Sequence, residues 1–179
     1  MAADTEVMVN LIAPVLRVRL GKGERYPVVR FVETTNRSAV TLSISESMDE
    51  ASVIEAVAQA LGSGSNVESV KVEGIGAFEI DPVDEKLQGR MAGRIIIVTG
   101  AAQGFGLGIA QDLVKEGASV VLADINIDEA EKQAEALRKK HGPNRAKSVS
   151  MNVTDPASIR SAISETVKVF GGFDGFISN

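Results

Sequence analysis

The sequence predicts an α/β protein: a partial doubly wound parallel sheet of strand order 3-2-1-4, preceded by a small α+β region. Three observations predict it. Beyond residue 93, short apolar runs alternate strictly with helical patterns, which is the signature of strand–helix–strand units. The first of those runs, Ile95-Ile96-Ile97-Val98-Thr99, ends in glycines at 100, 104 and 106, and a helical pattern starts straight after them. Before residue 81 strands and helices follow one another without that regular alternation.

Composition sets the outer bounds. Of 179 residues, 44% are hydrophobic and 24% charged, which suits one medium or two small globular units rather than a disordered chain. Cysteine is absent and His141 is the single histidine, so a disulfide framework, thiolate chemistry and a histidine-cluster metal site are excluded. The net charge is −5, with no basic stripe, which argues against a nucleic-acid partner. No apolar run approaches membrane-span length and the first residues lack a signal-peptide layout, so no membrane partner is expected and the expected location is cytoplasmic.

In the first region, residues 5–20 predict a helix. Val7, Met8, Leu11, Ile12, Val15 and Leu16 recur at steps of three and four, and Pro14 is expected to kink the helix or end it early. After the Gly21-Lys22-Gly23 break, residues 26–32 predict a strand with Pro27 near its start, and residues 41–45 a second. Ser47-Met48-Asp49-Glu50 has capping-box spacing and opens a helix carrying Val53, Ile54, Val57 and Leu61, stopped by Gly62-Ser63-Gly64. Residues 67–80 predict strand, glycine bend and strand. This makes residues 1–80 a small α+β region of unknown role, with 81–92 a charged linker and 93–179 the parallel unit.

In the second region, residues 94–99 predict the first strand. Residues 105–116 predict a helix with Leu107, Ile109, Ala110, Leu113 and Val114 inward and Gly117 past its end. Residues 119–124 are the second strand. Residues 128–140 are a charged helix with Ala130, Ala134 and Leu137 inward, and His141 is expected to complement its C-terminal dipole as a cation. Residues 146–151 are the third strand. Pro156 opens a helix behind a capping side chain, with Ile159, Ile163, Val167 and Phe170 as its buried stripe, and residues 173–178 are the fourth strand. Right-handed crossovers then give the order 3-2-1-4, and a ligand belongs outside the carboxyl ends of the strands, between the first and the fourth.

The glycines carry the chemistry. Gly100 lets the chain leave the strand sharply, Gly104 removes a side chain where backbone approaches a diphosphate, and Gly106 permits close packing of helix on strand. The free N–H groups and positive dipole end of the helix then face an anion. Asp124 closes the second strand roughly 20 residues past the glycines, where the dinucleotide fingerprint places the acceptor for ribose hydroxyls.

The pattern Thr99-Gly100-x-x-x-Gly104-x-Gly106 resembles the cofactor-binding half of the short-chain dehydrogenase/reductases, a Rossmann-fold family of oxidoreductases, over about residues 93–179. The resemblance implies a nicotinamide dinucleotide held by Gly100, Gly104 and Gly106, with Gln103 and Phe105 as backbone contacts. Asp124, followed by Ile125 and Asn126 rather than arginine, implies NAD in preference to NADP. After the third strand the family carries Asp-Val-x-Asp. Here the residues are Asn152-Val153-Thr154-Asp155, so Asn152 and Val153 are the expected adenine contacts, Asn152 offering donor and acceptor. After the fourth strand the family carries Asn-Asn-Ala-Gly, of which Ser178-Asn179 is present, with Asn179 a cofactor-binding candidate.

The family's chemistry also needs a serine and a Tyr-x-x-x-Lys pair beyond the fourth strand. The one tyrosine, Tyr26, lies upstream of the glycines, with Arg30 at that spacing. The expectation is therefore the NAD-binding portion of a longer oxidoreductase. The full-length form transfers hydride to or from a sugar, polyol or similar carbonyl compound, while these 179 residues bind NAD without turnover and carry no catalytic residue. A short Val-Glu-Gly-Ile-Gly-Ala-Phe phrase at 72–78 resembles the tail of a class II aldolase-like domain, which implies a fusion without aldolase activity. Phe176 and Ile177 on an unprotected strand edge favour self-association, so a homo-oligomer is expected. A non-catalytic nucleotide-binding module and an inactive remnant are the alternatives.

Overall fold

The computed structural model describes residues 3–44, 48–62 and 67–179, and the chain divides into two compact units between Val83 and Asp84, residues 167–172 grouping with the first. In the first unit, helix α1 spans Ala3–Arg19, strand β1 Val28–Val32, strand β2 Ala39–Leu42, helix α2 Glu50–Leu61, strand β3 Ser69–Val72 and strand β4 Gly76–Asp81. The sheet order is β1-β4-β3-β2, antiparallel except for the parallel β2–β3 pair. The turn between β3 and β4 contains Gly74 at φ 76° and leads into Gly76 at φ 144°, which makes the glycine bend a tight antiparallel connection.

The first unit departs from expectation at three places. Helix α1 continues through Pro14 to Arg19, because one lost backbone bond is outweighed by the burial of Met8, Val9, Ile12, Ala13 and Leu16 on both sides of the proline. Val7, expected inward, is 64% exposed. The N-cap of α2 is Asp49, whose carboxylate accepts from Ser52 N at 2.9 Å. Ser47, the expected cap, lies outside the described residues, as do Ser45, Ser63 and Gly64.

The second unit opens with residues 84–93, where Met91 N donates to Glu116 O and Gly93 N to Gly117 O. Strand β5 spans Ile95–Thr99, helix α3 Gly104–Lys115, strand β6 Ser119–Asp124, helix α4 Ile127–His141, strand β7 Ala146–Ser150, helix α5 Pro156–Phe170 and strand β8 Gly175–Ile177. The sheet is wholly parallel in the order β7-β6-β5-β8, the predicted 3-2-1-4. All of β5 and the first five residues of β6 are buried, which explains runs of Ile and Val rather than alternation. Ile96, Val98, Val120 and Leu122 form one core with Ala110, Val114, Ala130, Ala134 and Leu137 from α3 and α4.

Helix ends follow local chemistry. Asn126 Oδ1 caps α4 by accepting from Glu129 N at 3.3 Å, and Asp155 Oδ1 accepts from Ala157 N at 2.9 Å behind Pro156. Past α3, Gly117 sits at φ 94°, and Ala118 N donates to Leu113 O. On α5 the buried side chains are Ala162, Ser164, Thr166, Val167 and Phe170; Ile159 and Ile163, expected buried, are half-exposed. His141 is also a correction. Burial, and then the cations Lys140, Arg145 and Lys115, hold its imidazole below the ordinary histidine value. At neutral pH it is uncharged, and Arg138, Lys139 and Lys140 supply the positive end of α4.

Candidate functional site

The site is built where four parallel strands end. In a parallel sheet all carboxyl ends lie on one side, so the residues just past β5, β6, β7 and β8 are neighbours. The turn after β5 leaves through Gly100 at φ 60° and reaches Gly104 at φ 60°. These are backbone conformations that side chains with a Cβ rarely adopt. No atom lies within 4 Å of where a Cβ on Gly104 would stand, so the conformation, and not crowding within the protein, demands glycine there. At Gly106 the reverse holds. A Cβ would stand 2.2 Å from the Gly100 carbonyl oxygen and 3.0 Å from Asn179 Nδ2, so helix α3 rests on the strand end only because residue 106 has no side chain.

The start of α3 presents donors. Gln103 is extended and makes no side-chain cap, and no acidic residue occupies the first turn. The first N–H groups of a helix have no partner within it, and Phe105, 89% exposed, covers none of the core. Gln103 and Phe105 thus stand in the turn as backbone, their side chains taking no part in its hydrogen bonds.

Asp124 is half-buried at the end of β6. Its Oδ2 accepts from Ala102 N at 2.9 Å and its Oδ1 from Asn126 N at 2.9 Å. A carboxylate offers about four acceptor positions, so each oxygen keeps capacity for a second donor. The Ala101 N–H also reaches across to Ala123 O at 3.4 Å. Two successive amides of the glycine turn are therefore tied to the end of β6, a link that sequence spacing did not reveal.

Past β7, Asn152 Oδ1 accepts from both Thr154 N, at 3.0 Å, and Thr154 Oγ1, at 2.8 Å, while Asn152 N donates to Ser158 Oγ. The carboxamide oxygen is thereby filled, so the side chain presents its amide as a donor and not the donor-and-acceptor pair expected. Val153 beside it is 55% exposed. Past β8, Asn179 N donates to Thr99 Oγ1 at 3.0 Å, and its side-chain amide reaches both Gly100 and Gly106. The structure thus gathers Gly100, Gln103, Gly104, Phe105, Gly106, Asp124, Asn152, Val153 and Asn179 at one end of one sheet.

A residue missed by sequence reading fixes β8 from the opposite, amino end of the strands. Asp174 Oδ2 accepts from Ile95 N, and Asp174 N donates to Ile95 O, both at 2.7 Å. This two-point clamp seats β8 beside β5. An acid immediately before a short apolar run was the available signal.

Fold and strand-end geometry together define a parallel α/β unit with a glycine turn, a helix N-terminus and an acid on the adjacent strand. Known proteins resemble this unit in sequence. Residues 94–179 match the profile of the short chain dehydrogenase family. The stretch is 41% identical over 90 residues to galactitol 2-dehydrogenase from Agrobacterium fabrum and 36% identical over 90 residues to sorbitol dehydrogenase from Cereibacter sphaeroides. Each alignment covers 50% of this chain and 33% of the relative. A crystal structure of L-sorbose reductase from Gluconobacter frateurii, complexed with NADPH and L-sorbose, matches at a TM-score of 0.47 with 31% identity, covering 50% of this chain and 34% of that one. The chain spans about a third of the length of these relatives. Among the described residues, no helix is long and apolar enough to cross a membrane.

Proposed function

We propose that the carboxyl-end crevice of β5–β8 holds a nicotinamide dinucleotide, NAD in preference to NADP. One observation carries this reading: the Asp124 carboxylate lies against the glycine turn, 2.9 Å from Ala102 N, so a diphosphate on the turn and a ribose on the acid are within one ligand's reach. Gly104 leaves open space above the turn, and the uncapped first N–H groups of α3 suit an anion. The spare acceptor positions on Asp124 suit the two ribose hydroxyls. A 2′-phosphate at that place would meet a carboxylate, with Ile125 and Asn126 next in the chain and no arginine to neutralise it. Asn152 and Val153 would border the base, and Asn179 would buttress the turn from behind.

When bound, the cofactor supplies hydride transfer. This chain's own residues bind and orient. The galactitol and sorbitol dehydrogenases among the relatives support a sugar, polyol or similar carbonyl compound as the substrate class of the complete protein, which we propose is an oxidoreductase. Within the 179 residues, the one tyrosine is Tyr26, with Arg30 at the Tyr-x-x-x-Lys spacing and in the first unit, so we assign the present residues cofactor binding rather than turnover. Calorimetric titration with NAD and NADP tests this. Binding of NAD at least about tenfold tighter than NADP is expected from one unfavourable charge pairing. Binding of neither removes the nucleotide assignment, and equal binding removes the NAD preference. With galactitol or sorbitol added, no change in nicotinamide absorbance is expected, and steady reduction of NAD would refute the purely binding role.

A further inference from the structure

We propose that Asp124 is a positioning residue for the glycine turn: before any nucleotide arrives, its carboxylate holds the 100–106 backbone in the shape that receives a diphosphate. The inference rests on the nucleotide assignment above and goes beyond it, because it gives the acid a task independent of ribose. Gly100 and Gly104 both sit at φ 60°, and a segment with glycine at both bends has more backbone freedom to lose than any other. Something must hold it. The two ties to β6 are Ala101 N to Ala123 O, at 3.4 Å and weak, and Ala102 N to Asp124 Oδ2, at 2.9 Å and to a charged acceptor. A charge-assisted bond is roughly twice as strong as a neutral one. Ala102 is 2% exposed, so losing its acceptor leaves a buried N–H without compensation from water.

Asp124 is itself well seated. Met151 N donates to Asp124 O at 3.0 Å, the neighbouring strand holding it in register opposite Ser150, and Asn126 N fixes the second carboxylate oxygen. The carboxylate therefore bridges the end of one strand and the turn after another. A consequence follows that ribose recognition alone does not give. Removing the carboxylate should weaken ligands that have a diphosphate but no ribose hydroxyls.

The test uses the full chain, with ADP and 2′,3′-dideoxy-ADP as probes, titrated calorimetrically into wild type, Asp124→Ala and Asp124→Asn. Amide hydrogen exchange of Ala102 is followed in the absence of nucleotide. The expected result is a loss of about tenfold in affinity for the dideoxy probe in D124A, the size of one good hydrogen bond, and a larger loss for ADP. D124N keeps a neutral acceptor for Ala102 N and should recover part of the dideoxy loss, about half in free-energy terms. If D124A weakens ADP while the dideoxy probe is unaffected, Asp124 serves the ribose alone, and the positioning role falls while the nucleotide assignment stands. If wild type binds neither probe, the nucleotide assignment falls, and exchange at Ala102 decides the positioning role. Protection lost at Ala102 in D124A, with β5 and β6 still protected, upholds it. Unchanged protection, or a loss spread evenly over both strands, overturns it.

Discussion

The two units of this chain each hold a four-stranded sheet, and the sheets are built oppositely. In the first, β4 runs antiparallel to both neighbours, burial is uneven along β1 and β2, and aromatic packing of Phe31 on Phe78 at 5.6 Å spans the β1–β4 pair. In the second, every pair is parallel and β5 is buried throughout. Strand direction explains why the candidate site lies in the second unit. A parallel sheet brings the carboxyl end of every strand to one side, so the glycine turn, Asp124, Asn152 and Asn179 meet although 79 residues separate Gly100 from Asn179. An antiparallel sheet sends successive strand ends to opposite sides and spreads its loops. The glycines differ in the same sense: those of the β3–β4 connection make a tight turn, whereas Gly106 makes room for a helix.

The second unit's packing is most sensitive at Gly106. Gly106→Ala sets a Cβ 2.2 Å from a backbone oxygen, and a loss of about 2–4 kcal/mol is expected, the range of severe overpacking. Denaturant-dependent hydrogen exchange, resolved residue by residue, should show the loss across β5 and β6 with the first unit's amides unmoved. Gly108→Ala on the same helix is the control: nothing lies within 4 Å of its Cβ, and a gain of about 0.5–1 kcal/mol is expected. Equal effects at the two positions would refute the packing argument.

Next in size is Asp174→Ala, which removes the acceptor for Ile95 N. A loss of about 1–2 kcal/mol is expected, read as faster exchange at Ile95 and along β8 before β6 is affected. In the first unit, Asp49→Ala removes the α2 cap and should give a smaller loss, confined to faster exchange within α2. A spread of that loss into β5 would mean the two units do not report separately.

The smallest effect is a pH dependence. His141 is held below its ordinary value of 6.5 in the folded chain, so between the folded and unfolded values the unfolded chain binds more protons. The stability this gives is fully present above about pH 6.5 and is lost as pH falls through that value toward the folded one. His141→Gln should flatten this part of the stability profile. A profile equally steep in wild type and variant would remove His141 as its cause.

Much of the second unit was legible in its residues. Strand β6 spans the predicted 119–124, and the other elements shift by only a few residues, because buried parallel strands are continuous apolar runs and helices have a period of their own. Glycine at 100, 104 and 106 gave the turn. The first unit was harder. Pro14 reads as a helix breaker, yet α1 persists through it, since burial on both sides is a tertiary term that no propensity contains. His141 was misjudged for a related reason: its neighbours Lys115 and Arg145 come from outside its own helix. Asn152 showed both a donor and an acceptor in sequence, and the local turn with Thr154 consumed the acceptor.

By itself the sequence determined the alternation of strands and helices beyond residue 93, the strand order, and the residue types at the glycine turn. These depend on periodicity, on chain handedness and on which backbone angles a residue tolerates, all of which are local. Only the tertiary structure decided that Asp124 accepts from Ala102, 22 residues away, and that Asp174 clamps Ile95 across 79. Those bonds require two strand ends in one register, and register is set when the whole sheet packs at once.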